Sequence, residues 1–210
     1  MTESEEVELM EREHTGIQFC SMKELMVKYD ASLKGLTREQ AHERRNGRMN
    51  KISEPLGFSR YFCCLLSCFG ISNQLDMLRI IVPTATQAKR NGRMIQIDPV
   101  SLVVGDIVQM STGDFVPADL RIIDASDCLF NTHQLTRKAE LLEADPHIGC
   151  SSLTDSPNVA LVGYQCTGGS CLGLVVATGS DCHLSKLVLR NQFPVQSDSK
   201  PALALEFVRV

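Results

Sequence analysis

A chain of 210 residues has room for one ordinary domain with appendages, and its 43% hydrophobic and 22% charged content belongs to a chain that buries a core. The formal net charge is −4 and neither end carries a sustained run of Lys or Arg, so nothing in the linear sequence suggests attraction to nucleic acid or anionic lipid. Trp is absent and only three Tyr occur, which also weakens a stacking platform for single-stranded nucleic acid.

Residues 1–19 open with Glu3, Glu5, Glu6, Glu8, Glu11 and Glu13, and such a charge run reads as a solvated, flexible tail. From Ser21 the pattern changes. Met22, Leu25, Met26 and Tyr29 fall at helical spacing, and Ser21 with Glu24 forms a capping box. Gly35 then breaks the chain, and Thr37 with Gln40 predicts a second capped helix running to about Arg45, closed by Asn46-Gly47. Residues 20–57 therefore read as a helical piece.

Residues 58–81 are the most apolar part, centred on 61–71, between Arg60 and Ser72-Asn73-Gln74. A helix needs about 20 apolar residues to span a bilayer, and this run is too short. It reads either as a buried or interfacial helix, the favoured case, or as a surface anchor aided by palmitoylation of Cys63, Cys64 or Cys68.

Beyond residue 82 the grammar is that of strands and turns. Arg90-Asn91-Gly92-Arg93 predicts a hairpin, with Asn-Gly supplying positive φ ahead of a strand over 94–97. Further strands are expected over 107–110, 120–125, 159–165 and 172–178, then a last helix over 181–190. The pentapeptide at 45–49 recurs at 90–94, but its flanks do not match and it reads as two unrelated turns. Short strands without long helices between them point to a compact β-barrel or jelly roll. The segment Gly163-Tyr164-Gln165-Cys166-Thr167-Gly168-Gly169-Ser170 lacks the Lys of a phosphate-binding loop and reads as a turn-rich hairpin.

Nine Cys is an odd number at spacings that form no disulfide framework, and no apolar signal segment opens the chain, so a reducing compartment is expected. Cys166, Cys171, Cys182 and His183 lack the tight paired spacing of a zinc site, and no metal is expected. His133 is read as an incidental surface histidine.

Two blocks carry a resemblance. Leu102-Val103-Val104-Gly105-Asp106-Ile107-Val108 is followed by Gly113-Asp114-Phe115-Val116-Pro117-Ala118-Asp119-Leu120-Arg121-Ile122-Ile123. At this spacing they resemble the VGD-V and GD-(I/V)PAD-RI blocks of the actuator domain of P-type ATPases. The second half, with Asn158-Val159-Ala160, Gly163, Cys166, Gly169, Gly173 to Gly179 and Lys200-Pro201, is similar as well. Upstream, Leu25, Tyr29, Gly35-Leu36-Thr37 and Ala41 resemble the N-terminal helical piece of Na+/K+- and H+/K+-pump α subunits.

The resemblance implies a fold that is mainly β with an N-terminal α-helical piece. Residues 82–200 would form a distorted jelly-roll or β-barrel actuator domain, α+β overall. It also implies that 58–81 is a remnant of the first membrane hairpin and that 201–210 starts the linker to a missing third membrane helix.

In that family a loop reading T-G-E-S, preceded by Leu, hydrolyses an aspartyl-phosphate, its Glu acting as general base on the attacking water. The matching residues here are Leu135 and then Thr136, Arg137, Lys138 and Ala139. An ammonium donates hydrogen bonds only and stays protonated near neutral pH, so Lys138 does not replace that carboxylate. Glu140 matches the family's following acidic residue and is expected to point elsewhere. The loop is degenerate and no intact catalytic residue is expected.

The D-K-T-G-T phosphorylation motif is absent from the chain. The resemblance thus implies a truncated, catalytically inactive Na+/K+-ATPase α-like chain of regulatory use. It would need no cofactor of its own, although the family uses ATP and Mg2+. Its expected partner is a full-length α subunit or its β subunit, on the cytoplasmic side and at the membrane if part of a longer pump. The alternative is a piece of a complete ATP-driven cation pump. An enzyme of another class finds no supporting motif.

Overall fold

The computed structural model describes residues 16–52, 83–190 and 192–193. The expectations for 1–15, for the apolar 58–81 and for 201–210 lie outside the described residues. Among those described, no helix is long and apolar enough to cross a membrane.

Two short helices come first. Helix α1, Met22–Lys28, starts at a capping box in which the Glu24 N–H donates to Ser21 Oγ and the Ser21 N–H to Glu24 Oε2 at 2.8 Å. Helix α2, Arg38–Arg45, repeats the device with Thr37 and Gln40 and ends on a left-handed Asn46. Helices this short do not persist alone, so tertiary contacts must hold them. Leu25 of α1 is fully buried against Ile107, Leu174 and Val176, and Ala41 of α2 packs with Leu36 and Val103.

The body is a seven-stranded antiparallel sheet. Strands β1, Thr86–Arg90, and β2, Arg93–Ile97, form the expected hairpin, with φ of 52° at Asn91 and 76° at Gly92. They are followed by β3, Ile107–Ser111, and β4, Asp119–Asn131. A one-turn helix α3, His133–Thr136, leads to the short β5, Leu141–Glu143. Then come β6, Val159–Ala160, β7, Gln165–Ala177, and helix α4, His183–Leu189. The spatial order is β2-β1-β3-β7-β4-β5, with β6 also on β4, so the fold is mainly β with a helical N-terminal piece, as expected.

Three strand expectations are corrected. The strand expected over 159–165 stops at Ala160, because the chain turns back at Gly163, φ 102°, where the Tyr164 N–H donates to Leu161 O at 3.0 Å. The strand expected at 120–125 continues to Asn131, and the one at 172–178 begins at Gln165. Residues 165–170 are therefore strand rather than a turn-rich hairpin. The physical reason is a bulge: Asp127 takes a φ of 47° opposite Gly169, φ 63°, and the register shifts instead of breaking. A Cβ at Gly169 would lie 2.2 Å from the carbonyl oxygens of Ser126 and Asp127. The last helix also starts later than expected, after a 3-10 turn over Gly179–Asp181.

The core centres on β4 and β7, with Leu120, Ile122, Phe130, Tyr164 and Val175 among its members. The Phe130 and Tyr164 rings meet tilted, with centroids 6.2 Å apart. The Tyr164 hydroxyl donates to Thr154 O at 2.8 Å, and burial pushes its pKa up.

The N-terminal piece is laced onto this body by polar groups as well as by Leu25. Asn50 donates to Pro99 O and Pro117 O at 3.0 and 2.8 Å and accepts the Gly179 N–H at 2.8 Å. Arg44 donates to the carbonyls of Tyr29, Asp30 and Val104, which is possible because Gly105 has no Cβ; one there would lie 2.3 Å from the guanidinium. Ile17 and Gln18, expected within the solvated tail, are buried. Ile17 O accepts from Arg121 and Gln18 O from Asn158.

Leu25→Ala should lower the unfolding free energy by about 3 kcal/mol, the cost of a buried cavity at a site that collapses poorly. Urea denaturation followed by circular dichroism checks it, and a loss under about 1 kcal/mol would show that α1 does not depend on this contact.

Candidate functional site

The loop singled out in the sequence is built on the end of β4. Thr132 is the N-cap residue of α3, and its Oγ1 lies 3.0 Å from that of Thr136. Leu135 is buried and anchors the turn to the core. The Thr136 hydroxyl is the hub: it donates to Thr132 O at 3.1 Å and accepts the Lys138 N–H at 3.2 Å. Arg137 lies between these contacts in the left-handed region, φ 60° and ψ 9°, with its N–H on His133 O at 3.0 Å. That conformation suits glycine, and an L side chain there costs about 1–2 kcal/mol. Arginine thus occupies a backbone conformation that glycine adopts without strain.

Lys138 is half exposed, and its ammonium pairs with the Asp155 carboxylate, which is 42% exposed. Asp155 closes a 3-10 turn over Leu153–Asp155, and the same turn supplies the Thr154 carbonyl held by Tyr164. An exposed pair of this kind stabilises by about 0.2–1 kcal/mol. The position holds a paired cation, which donates hydrogen bonds. Ala139 and Glu140 follow, both exposed, and Glu140 leads directly into β5. His133 is exposed as well, and its N–H donates to Asn131 Oδ1 at 3.0 Å.

The two sequence blocks turn out to hold the frame in place. Asp106 is fully buried and accepts Arg90 Nε at 3.1 Å, Arg90 Nη2 at 2.7 Å and the Val103 N–H at 3.1 Å. Asp119, at the start of β4, is also fully buried. Its carboxylate accepts the Val162 N–H at 3.1 Å and the His183 N–H at 2.7 Å, so it ties β4 to the β6–β7 turn and to the first turn of α4. Burial pushes its pKa up to about 6, against the lowering effect of those two donors. Both aspartates work as structural acceptors.

Of the cysteines weighed as ligands, Cys166 and Cys171 both lie against Cys128, with Cys166 Sγ 3.8 Å from Cys128 Sγ, whereas Cys182 Sγ donates to Ala177 O at 3.4 Å. Burial pushes the Cys166 thiol up to about 12, with Cys128 adding to the effect, and burial likewise raises Cys182. Among the described residues no group of three or more His, Cys, Asp or Glu is placed to hold a metal ion. Sequence reasoning found Lys138 but missed Asp155, and nothing in the linear pattern links residues 17 apart across a strand and a loop.

Two outcomes follow. The folded-state pKa of Asp119 is raised, so folding favours its protonated form; that stability is present below about pH 4 and is lost as pH rises through about 6. Relative to Asp119→Asn, which carries a pH-independent offset, the wild-type chain should lose up to about 3 kcal/mol between pH 4 and 7 in urea melts. Parallel pH profiles would show that Asp119 is not the titrating group. At the loop, Arg137→Gly should stay within about 1 kcal/mol of wild type, because relief of the left-handed strain is offset by unfolded-state freedom. Arg137→Val should fall about 2 kcal/mol below Arg137→Gly, since a β-branched residue tolerates this φ poorly. Both variants lose the same side chain, so their difference reads the backbone.

Comparison with known proteins bears on the whole strand body. The family model of the P-type ATPase actuator domain matches residues 80–191. The sodium/potassium-transporting ATPase subunit alpha-2 of Bos taurus and that of Homo sapiens are each 33% identical over 108 residues, covering 51% of this chain and 11% of theirs. The match therefore spans only a small part of these relatives' length. A crystal structure of a zinc-transporting PIB-type ATPase in the E2.Pi state aligns over 59% of this chain and 20% of its own, at 18% identity and TM-score 0.44.

Proposed function

Since this chain belongs to the P-type ATPase family through its actuator domain, we propose that it keeps an actuator's frame without an actuator's hydrolytic chemistry and works by association with a pump. The observation that carries this reading is Lys138. The family's loop places a carboxylate where this chain has an ammonium paired with Asp155. A general base must take a proton from water within hydrogen-bond reach, and this group has none to accept with. The Thr136 hub and the left-handed turn at Arg137 nevertheless support a loop of actuator shape. Such a body can dock where an actuator docks and contribute no dephosphorylation there.

The partner suggested by the relatives is a full-length P-type α subunit, or the β subunit that accompanies it, on the cytoplasmic side where such pumps carry their actuator. No ATP or Mg2+ site is assigned to this chain.

The test is co-expression with a full-length sodium/potassium pump α subunit, co-purification from membranes, and measurement of phosphoenzyme decay. The chain should co-purify and slow decay at least two-fold. Lys138→Glu, which separates the loop from Asp155 by like-charge repulsion, should alter that effect. Failure to associate, or unchanged decay at saturating chain, overturns the proposal.

A second reading is favoured by one fact: the matched relatives continue far beyond the aligned 108 residues. On it the chain is a piece of a complete ATP-driven cation pump. A transcript that runs past Val210 into a third membrane helix and a D-K-T-G-T exon would establish it, and one ending there would remove it.

A further inference from the structure

A groove of about 880 Å³ lies between the N-terminal helices and the strand body, bounded by Tyr29 and the 102–104 segment. Its charge is unlike that of the chain. Lys28, Arg44, Arg45, Arg48 and Lys51 line it against only two carboxylates, Asp30 and Asp181, in a protein whose net charge is −4. Asp30 is already engaged by Arg44, at 2.9 Å.

Among the described residues, Lys28, Arg45, Arg48 and Lys51 make no ion pair. Lys28 has only the Tyr29 ring, 5.4 Å from its Nζ. The negative ends of α1 and α2 account for Lys28 and Arg45. They do not account for Arg48 and Lys51, which lie beyond both helices.

Thr178 and Ser180, from the segment that leads into α4, also line the groove. Two guanidiniums and two ammoniums without ion pairs among the described residues thus line one open groove, against Asp181 and the Asp30 carboxylate that Arg44 engages. Guanidinium forks bind phosphate oxygens two at a time, and ammoniums add point charge. The volume falls within the range of small-ligand sites.

We propose that this groove is an anion site for a multiply phosphorylated group, the headgroup of a phosphoinositide or the equivalent free inositol polyphosphate. A single phosphate would leave most of the donors unused, whereas vicinal phosphates on one ring reach several at once. The site is assembled by tertiary structure from three sequence segments, 28–30, 44–51 and 178–181, of which 44–51 supplies four of the five cations. It is independent of the loop at Lys138.

The experiment titrates the full chain by calorimetry with inositol hexakisphosphate, and in parallel by flotation with phosphatidylcholine vesicles with and without 5 mol% phosphatidylinositol bisphosphate. Arg45→Gln/Arg48→Gln/Lys51→Gln should weaken binding at least 30-fold and flatten its salt dependence. Lys23→Gln/Arg38→Gln/Arg93→Gln removes the same charge from exposed positions off the groove and should change binding less than three-fold. Thermal melts of both triple variants confirm that they fold. If one fails to, the single Lys51→Gln, at an exposed position, should still weaken binding at least three-fold. Groove-dependent binding of the soluble probe supports a free ligand, and binding of the vesicles alone supports a membrane source. Equal losses in the two triple variants, or no binding of either probe at 50 mM salt, overturns the proposal.

Discussion

The pairing of β4 with β7 is the constraint on which the rest of the structure rests. These are the two longest strands, 13 residues each, and they stay paired from Asp119↔Ala177 to Asn131↔Gln165. They do so only because register shifts absorb the mismatch, above all where Asp127 crowds Gly169. β3 attaches to one side of this pair and β5 and β6 to the other. The loop at 132–140 is simply what leaves β4 when the pairing ends, so its position is inherited from the ladder. At the opposite end of β4 the Asp119 carboxylate fixes two backbone N–H groups from later in the chain.

Buried polar groups divide the work with the apolar core. Asp106 inside, Asn50 at the seam and Arg44 at the edge each satisfy several partners at once. A buried ion pair such as Arg90–Asp106 gives little net stability over apolar packing, yet losing one partner leaves a buried charge exposed to no solvent. These groups therefore specify how the parts fit more than they strengthen the fit. The helical piece is held on the sheet by Leu25 from within and by these contacts along the rim.

In the loop, backbone and exposed side chains are set by different contacts. Thr136 makes its hydrogen bonds, Leu135 is buried and position 137 takes a left-handed turn, and none of these involves the side chain at 138. Backbone geometry is fixed by the hub and by the strand beneath it. The side chain at 138 is a cation facing Asp155.

Much was legible in the sequence. Both capping boxes, the Asn-Gly hairpin and the β-rich class followed from local chemistry, since each depends on residues a few positions apart. The resemblance of the 102–123 blocks located the actuator domain, and the family match confirmed it. What the sequence misread were strand ends, because Gly168-Gly169 looks like a turn unless the bulge opposite it is known, and Gly163 looks tolerable within a strand unless the turn it makes is known. The partner of Lys138 and the basic groove were invisible for the same reason. Asp155 is distant along the chain, and packing alone brings Lys28 and the 178–181 segment to the four cations of residues 44–51. The sequence by itself determined the two capping boxes, the Asn-Gly hairpin and the β-rich class, which local chemistry sets; the tertiary structure alone decided which charges face one another, because that depends on strand register and docking rather than on spacing.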